Sequence, residues 1–275
     1  MPLHVYEGLS GKLITAILRP GKKLSGREIL TILKRLLPYL QRAWGDKTVI
    51  VFRGDSELAT PEVMDYLEDN DAFYVLGMKK NTVLTDLAEP VMEDARELYD
   101  YCQRKVRCFD EFSYQAGTWR APRRVIVKAE ITKDGENPRY VVTNITDAKP
   151  QVVYDVVYCA RGKSENYIKN HKVDLHSGRT SCHTFSANQF RLILHSAAYV
   201  LLHTAQQNLF RGTEWATAQF NNLQLHVLKI GAVIRELKTK IKVHLPSSYP
   251  LKGLYQKVCD ILAQLRAPPQ HCLSG

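Results

Sequence analysis

Read from its first residues, the chain alternates between period-two and helical hydrophobic patterns. LHVYE from Leu3 and KLITAIL from Lys12 read as two strands joined by a Gly-containing turn. Arg19, Pro20 and Gly21 end the second strand. Ser25 and Glu28 then have the spacing of a capping box. Ile29, Ile32, Leu33, Leu36, Leu37 and Leu40 follow at helical spacing, which predicts a helix to about Ala43. Thr48 to Phe52 is a continuous apolar run, the pattern of a strand buried on both faces. Thr60 and Pro61 supply a cap and a first-turn proline for a second helix. Phe73 to Met78 predicts a further strand. The order predicts an α/β fold in which helices flank a mixed sheet.

The pattern then changes. FDEFSYQAGTW, RRVIVKAEIT and PRYVVTNI bunch β-branched and aromatic residues between turn formers, so a small, basic β subdomain is expected over 107–150. Helix is predicted again from about Val153 to Lys172, and from Ser186, where Ser186 and Gln189 form a second capping box. A last helix is expected near Asn222 to Ala232. KTKIKVHL, from Lys238, then reads as a basic edge strand. This organisation divides the chain into 1–106, 107–150, 151–210 and a basic tail over 211–275. It opens directly into a hairpin, as a domain entered partway would.

Composition narrows the class. The chain has 275 residues, 45% hydrophobic and 24% charged, which suits a folded globular protein. Its formal net charge of +10 fits either an anionic partner or a generically basic surface. No apolar run approaches the roughly 18 residues needed to span a bilayer. The start lacks the layout of a signal peptide, so a cytoplasmic, nucleoid-associated location is expected. The six cysteines form no CxxC pair, so reduced thiols are expected rather than zinc or a disulfide framework.

Two acids stand out. Asp55 directly follows an apolar strand, where a carboxylate is placed to hold a hard cation such as Mg²⁺; taken alone, the residues favour the other reading, a turn Asp in Gly-Asp-Ser. Glu165 lies in the predicted helix from Val153. At about 100° per residue, Tyr158, Arg161, Glu165 and Lys172 fall within about 60° of one another on one face. Four polar groups on a narrow stripe exclude a core face. They leave open a solvated ladder, with Arg161 and Glu165 as i,i+4 neighbours, or a site. Lesser candidates are His176, Cys182 and His183 for a metal, and the aromatic residues Phe109, Phe112, Tyr114 and Trp119 for base stacking. Among these Trp119, followed by Arg120, lies near an expected turn among basic residues and reads as a DNA contact.

The spacing of Tyr158, Arg161, Glu165 and Lys172 matches the Y-(2)-R-(3)-E-(6)-K signature of insertion-sequence DDE transposases. VIVFRGDSELATPEVMDYLEDNDAFYVLGMKKN resembles the segment carrying their second catalytic Asp, and NPRYVVTNI and RTSCHTFSANQFRLILHSAAYVLL resemble the stretches around their catalytic Glu. The resemblance runs from about Leu3 to Pro250. It implies an RNase H-like fold with a β-strand insertion before the Glu helix, and a two-Mg²⁺ site in which Asp55 is the second carboxylate and Glu165 the third. It implies cut-and-paste transposition by phosphoryl transfer at the ends of double-stranded transposon DNA and on target DNA. Tyr158, Arg161 and Lys172 would then contact phosphates, with a homodimer in the synaptic complex and no membrane partner. The family's first Asp has no match in this sequence. The metal site is therefore expected to be incomplete, and the chain to be a truncated transposase. The alternatives are a catalytically inactive DNA-binding remnant or regulator, and a distinct RNase H-like nuclease.

Overall fold

Ser25 caps the first helix as its sequence predicts. Its hydroxyl accepts from the Glu28 amide at 3.3 Å, and the Glu28 carboxylate accepts in return from the Ser25 amide at 3.1 Å. The computed structural model in which this is seen describes residues 2–21, 25–45 and 47–266. The elements before residue 150 are β1 (Leu3–Tyr6), β2 (Leu13–Ile17), α1 (Gly26–Trp44), β3 (Val51–Gly54), α2 (Pro61–Glu68), β4 (Phe73–Met78), α3 (Thr82–Cys102), β5 (Val106–Tyr114), β6 (Arg123–Thr132), β7 (Gly135–Glu136) and β8 (Arg139–Thr143). The chain divides into two compact units, one of residues 22–162 and one of residues 1–21 with 163–275.

In the first of these units, five strands pair in the order β3-β4-β8-β6-β5, and β7 adds to β6. β3 and β4 are parallel, and the remaining pairs are antiparallel. The period of two divides the sheet's side chains between two cores. Tyr74, Leu76, Val125, Val127, Ala129, Tyr140 and Val142 face α1, α2 and α3, which contribute Ile29, Leu33, Met64, Leu67, Leu84, Ala88 and Met92. Val75, Ile126 and Val141 face the other way, onto Val153 and Tyr154 of the helical segment that follows β8. The result is a mixed sheet with helix on both faces.

Two expectations change here. The segment 107–150, expected as a separate β subdomain, supplies β5, β6 and β8 to the same sheet as β3 and β4, because β8 pairs with β4 from Val75↔Thr143 to Met78↔Tyr140. The strand expected over Thr48–Phe52, buried on both faces, lies over Val51–Gly54 at the end of the sheet. Val49 is 68% exposed and Val51 37% there, since among the described residues only β4 pairs with it.

From Pro150 the chain is helical to Asp174, but not uniformly. α4 (Pro150–Val152) runs into a π-helical turn over Val153–Tyr158 and a 3₁₀ turn over Cys159–Arg161. α5 (Gly162–Lys169) and a second π-helical turn over Asn170–Asp174 follow. The uniform 100° step assumed for the four-residue stripe is therefore not how this segment is built.

The unit of residues 1–21 and 163–275 contains the antiparallel β1–β2 hairpin, α6 (Phe185–Asn208), α7 (Phe220–Leu223), a second hairpin of β9 (Val233–Leu237) and β10 (Lys240–His244), and α8 (Lys252–Arg266). Its core is built on Tyr199, Phe210, Phe220, Leu223 and Val227, with Tyr6, Leu13 and Tyr167 packed against them. The cap of α6 is Thr184, which accepts from the Ala187 amide at 3.2 Å, rather than Ser186. Gln189, expected to complete a capping box, instead accepts from the Leu18 amide at 2.7 Å and ties α6 to the end of β2. The expected helix over Asn222–Ala232 is reduced to α7 and a π-helical turn over Gln224–Leu228. The basic edge strand expected from Lys238 is β10, which pairs with β9 in a two-stranded sheet; Lys238 itself sits in the turn before it. The five described cysteines are free thiols, and Cys272 lies outside the described residues. Among the described residues no helix is long and apolar enough to cross a membrane.

Candidate active site

Parallel pairing of β3 and β4 brings the C-terminal ends of both strands to one edge, with Gly54 opposite Leu76. Asp55 follows Gly54 and Gly77 follows Leu76, so the two are neighbours at that edge. Asp55 turns the chain outward: its Oδ1 accepts from the Glu57 amide at 3.1 Å, and its carbonyl accepts from the Leu58 amide at 3.1 Å. This is the turn geometry that the Gly-Asp-Ser reading required. The carboxylate is nevertheless half exposed, with Oδ2 at 3.8 Å from Nη2 of Arg161.

The π-helical turn over Val153–Tyr158 and the 3₁₀ turn after it bring Tyr158 and Arg161 to this edge. In a 3₁₀ turn, residues i and i+3 eclipse, so these two side chains leave the helix on one side. Arg53, on β3, anchors the approach by donating from Nη1 to the Val157 carbonyl at 3.2 Å. The Tyr158 hydroxyl reaches in over Gly77. A Cβ built on Gly77 would lie 2.7 Å from that oxygen, 3.4 Å from the Ser56 nitrogen and 3.6 Å from the Asp55 carbonyl carbon. Glycine at position 77 is what lets the phenol approach the Asp55 turn. Burial pushes the Tyr158 pKa up, and the Asp55 carboxylate adds to this while the Arg161 guanidinium opposes it. The phenol stays protonated at neutral pH and can donate a hydrogen bond.

Glu165 and Lys172 belong to the other unit. Glu165 lies in the first turn of α5 and is exposed, while Lys172 lies in the π-helical turn that follows and has its stem against Gly178. The β1–β2 hairpin holds this helix. The Tyr6 hydroxyl donates to the Tyr167 carbonyl at 3.3 Å, and the Tyr199 hydroxyl donates to the Gly11 carbonyl at 2.9 Å. Gly11 has φ +76°, and a Cβ there would lie 2.5 Å from the Tyr167 ring, so the turn needs glycine twice over. Beneath lies a set of histidines the sequence gave no reason to single out. His171 is fully buried, with Nδ1 at 2.9 Å from Ser177 Oγ and Nε2 at 3.2 Å from Ser196 Oγ. The His4 ring meets it edge-on at 4.5 Å between centroids. Burial, helped by the nearby Lys172 ammonium, lowers the His4 pKa to about 4. Burial and the two neighbouring imidazoles of His4 and His195 lower that of His171 to about 3. Both are neutral at pH 7.

Trp119 and Arg120 sit elsewhere. Trp119 is 8% exposed, edge-on to Tyr114 and under the Arg123 guanidinium, so its ring belongs to the core and offers no stacking platform. Arg120 forms ion pairs with Asp65, Glu68 and Asp69, which engage its guanidinium. Phe109 and Phe112 also pack against the cores. His176, Cys182 and His183 form no ligand set: among the described residues, no three His, Cys, Asp or Glu side chains come together to hold a metal. The oxygen donors of Asp55 and Glu165 are of the type a hard divalent cation takes, and the carboxylate of Asp55 is accessible.

A family model described as Transposase DDE domain group 1 matches residues 1–267. Comparison with curated proteins finds no match.

Proposed function

This chain belongs to the DDE-domain transposases, and we propose that it is built for the metal-dependent phosphoryl transfer of cut-and-paste DNA transposition, on an RNase H-like core. Asp55 and Glu165 are two of the carboxylates in this reading, and duplex transposon ends are the substrate. One observation supports it above the others. Asp55 lies about a hundred residues before Tyr158 and Arg161 in sequence, yet the three meet just beyond the C-terminal edge of a parallel strand pair, where α/β sheets carry their chemistry.

Asp55 and Glu165 would hold Mg²⁺; bound there, the cation would neutralise phosphate charge and activate an oxygen nucleophile. In-line transfer needs positioning and charge compensation more than covalent chemistry. Arg161 presents a planar fork to phosphate oxygens, and Lys172 a mobile point charge. Tyr158, held protonated by burial, donates a hydrogen bond to a phosphate oxygen without adding negative charge to the site. The strands from β5 to β8 extend the sheet from β4, before the Glu165 helix in chain order.

A second reading keeps the DNA surface without the reaction. It is favoured by Asp55 itself, whose Oδ1 is already engaged by the Glu57 amide in a turn. Labelled duplex DNA carrying transposon ends, incubated with the chain and Mn²⁺, separates the two. Nicking that is lost in both Asp55→Ala and Glu165→Ala supports the catalytic reading. DNA binding without nicking, and without Mn²⁺ binding that depends on Asp55 in calorimetry, overturns it in favour of the second.

A further inference from the structure

The hairpin of β9 and β10 is exposed at every residue from Val233 to His244, including its Lys238–Thr239 turn. Its register pairs Val233 with His244, Ile234 with Val243, Arg235 with Lys242, Glu236 with Ile241 and Leu237 with Lys240. Cross-strand partners share a face, and alternate residues change face. One face of the ribbon therefore carries Arg235, Lys240, Lys242 and His244 among Val233 and Leu237. The other carries Ile234, Ile241, Val243 and Glu236, the ribbon's one acid. Lys238 adds a cation at the tip.

This arrangement opposes what a stable hairpin favours. Like charges directly opposite one another destabilise a strand pair, yet Arg235 faces Lys242 and Lys240 follows on the same side. The acid that would relieve them is on the wrong face. Such a face is consistent with its sequence when an anion lies along it. Lys240 and Lys242 are two residues apart, about 6.8 Å along an extended strand. A DNA duplex offers charge at intervals short enough to meet both, one per about 3.4 Å of axis on each strand. A two-stranded ribbon is also an element that a major groove about 12 Å wide admits.

We propose that the Arg235–Lys240–Lys242 face of this ribbon binds the phosphate backbone of duplex DNA, an inference that rests on the transposase reading for its partner. Phosphate contacts carry no sequence information, so the proposed contribution of this face is affinity and positioning rather than sequence choice.

The test is fluorescence anisotropy of the full chain with a labelled duplex of about 25 base pairs across a series of KCl concentrations. Three preparations are compared: the unmodified chain, Arg235→Gln/Lys240→Gln/Lys242→Gln, and a control, Lys34→Gln/Arg35→Gln/Lys133→Gln, that removes three exposed cations elsewhere. All six positions are exposed, and matching far-UV circular dichroism shows that the fold is kept. The ribbon variant is expected to bind at least about tenfold more weakly at about 100 mM salt. Its log Kd–log salt slope should fall by about 2.7, three phosphate contacts at about 0.9 each. The control should bind as the unmodified chain does. An unchanged slope in the ribbon variant, or an equal fall in the control, overturns the ribbon's role and leaves DNA binding by the chain standing. An unmodified chain that does not bind the duplex overturns both.

Discussion

Adding one methyl group at Gly77 tests how the Asp55 edge is assembled. In Gly77→Ala the new Cβ falls 2.7 Å from the Tyr158 hydroxyl oxygen, well inside contact distance, whereas its backbone neighbours at 3.4 and 3.6 Å are tight or ordinary contacts. The hydroxyl is the atom that must give way. It sits on a side chain whose ring packs against Tyr154 at 5.5 Å between centroids and whose backbone is held through Val157 by Arg53. Displacing it strains that packing, at a cost of about 1–3 kcal/mol for overfilling a well-packed position. Removing the offending oxygen by Tyr158→Phe should reverse about 1 kcal/mol of this cost.

The prediction is therefore a coupling. Gly77→Ala should cost about 1–3 kcal/mol in the unmodified chain and about 1 kcal/mol less in the Tyr158→Phe background. Urea unfolding followed by Trp fluorescence measures both backgrounds, because Trp119 lies in the core of the same unit. Additive costs, equal in the two backgrounds to within about 0.5 kcal/mol, would show that the phenol does not occupy the space over Gly77. The arrangement of Tyr158 at the Asp55 turn would then be refuted.

Other consequences follow from the buried charges. Arg123, nearly fully buried, donates to both oxygens of Glu68 at 2.7 and 2.9 Å and pairs with Asp65, so Arg123→Ala removes the most buried partner of both carboxylates, leaves them to Arg120 and should cost about 1.5–3 kcal/mol in thermal unfolding; a loss under about 0.5 kcal/mol would contradict the network. His4 and His171 have folded pKa values of about 4 and about 3, below the unfolded 6.5, so the unfolded chain binds more protons and stability falls as pH drops from about 6.5 toward 4. The full effect is about 1.4 kcal/mol per pH unit per imidazole, reduced by the solvent that reaches His4. His171→Asn should flatten the pH dependence of the unfolding midpoint between pH 6.5 and 5, and an unchanged slope would show that the imidazole is not the titrating group.

Local rules carried most of the elements. β4 spans Phe73–Met78 as its apolar run predicts, and Ser25 and Glu28 close the box their spacing predicts. These signals lie within a few residues of what they determine. α3 shows where local reading stops: Asn81 caps it, accepting from the Leu84 amide at 2.9 Å, and Leu84, Ala88, Val91, Met92 and Ala95 form its buried stripe, but Pro90 and a run of acids break up the pattern. What lay beyond local rules was pairing. Nothing near Thr143 says that it opposes Val75, and so the strands after β4 looked like a separate sheet. Nothing near Arg120 says that Asp65, Glu68 and Asp69 surround it, and so a guanidinium engaged by three carboxylates reads from the sequence as a DNA contact. At the site, the structure brings Tyr158 and Arg161 to Asp55, while Glu165 and Lys172 belong to the other unit. The π-helical and 3₁₀ turns that aim Tyr158 and Arg161 have no signature in a pattern read at a uniform step.

The pairing of Arg161 with Asp55 bears on which of these residues the chemistry can use. A contact at 3.8 Å between side chains 30% and 53% exposed is worth little, because water screens both partners and holding two mobile side chains together costs entropy. Contrast Arg123, 4% exposed and locked by Glu68 and Asp65, whose guanidinium is held by two acids away from solvent. The same residue type is structural in one place and exchangeable in the other, and burial makes the difference. At Asp55 the weak pair keeps a carboxylate accessible and a guanidinium beside it. A divalent cation can take the first and a phosphate the second, each replacing a contact whose loss costs well under about 1 kcal/mol. In the proposed reaction, the weakness of this one contact leaves the Asp55 carboxylate open to a cation and does not itself hold the Arg161 guanidinium away from a phosphate.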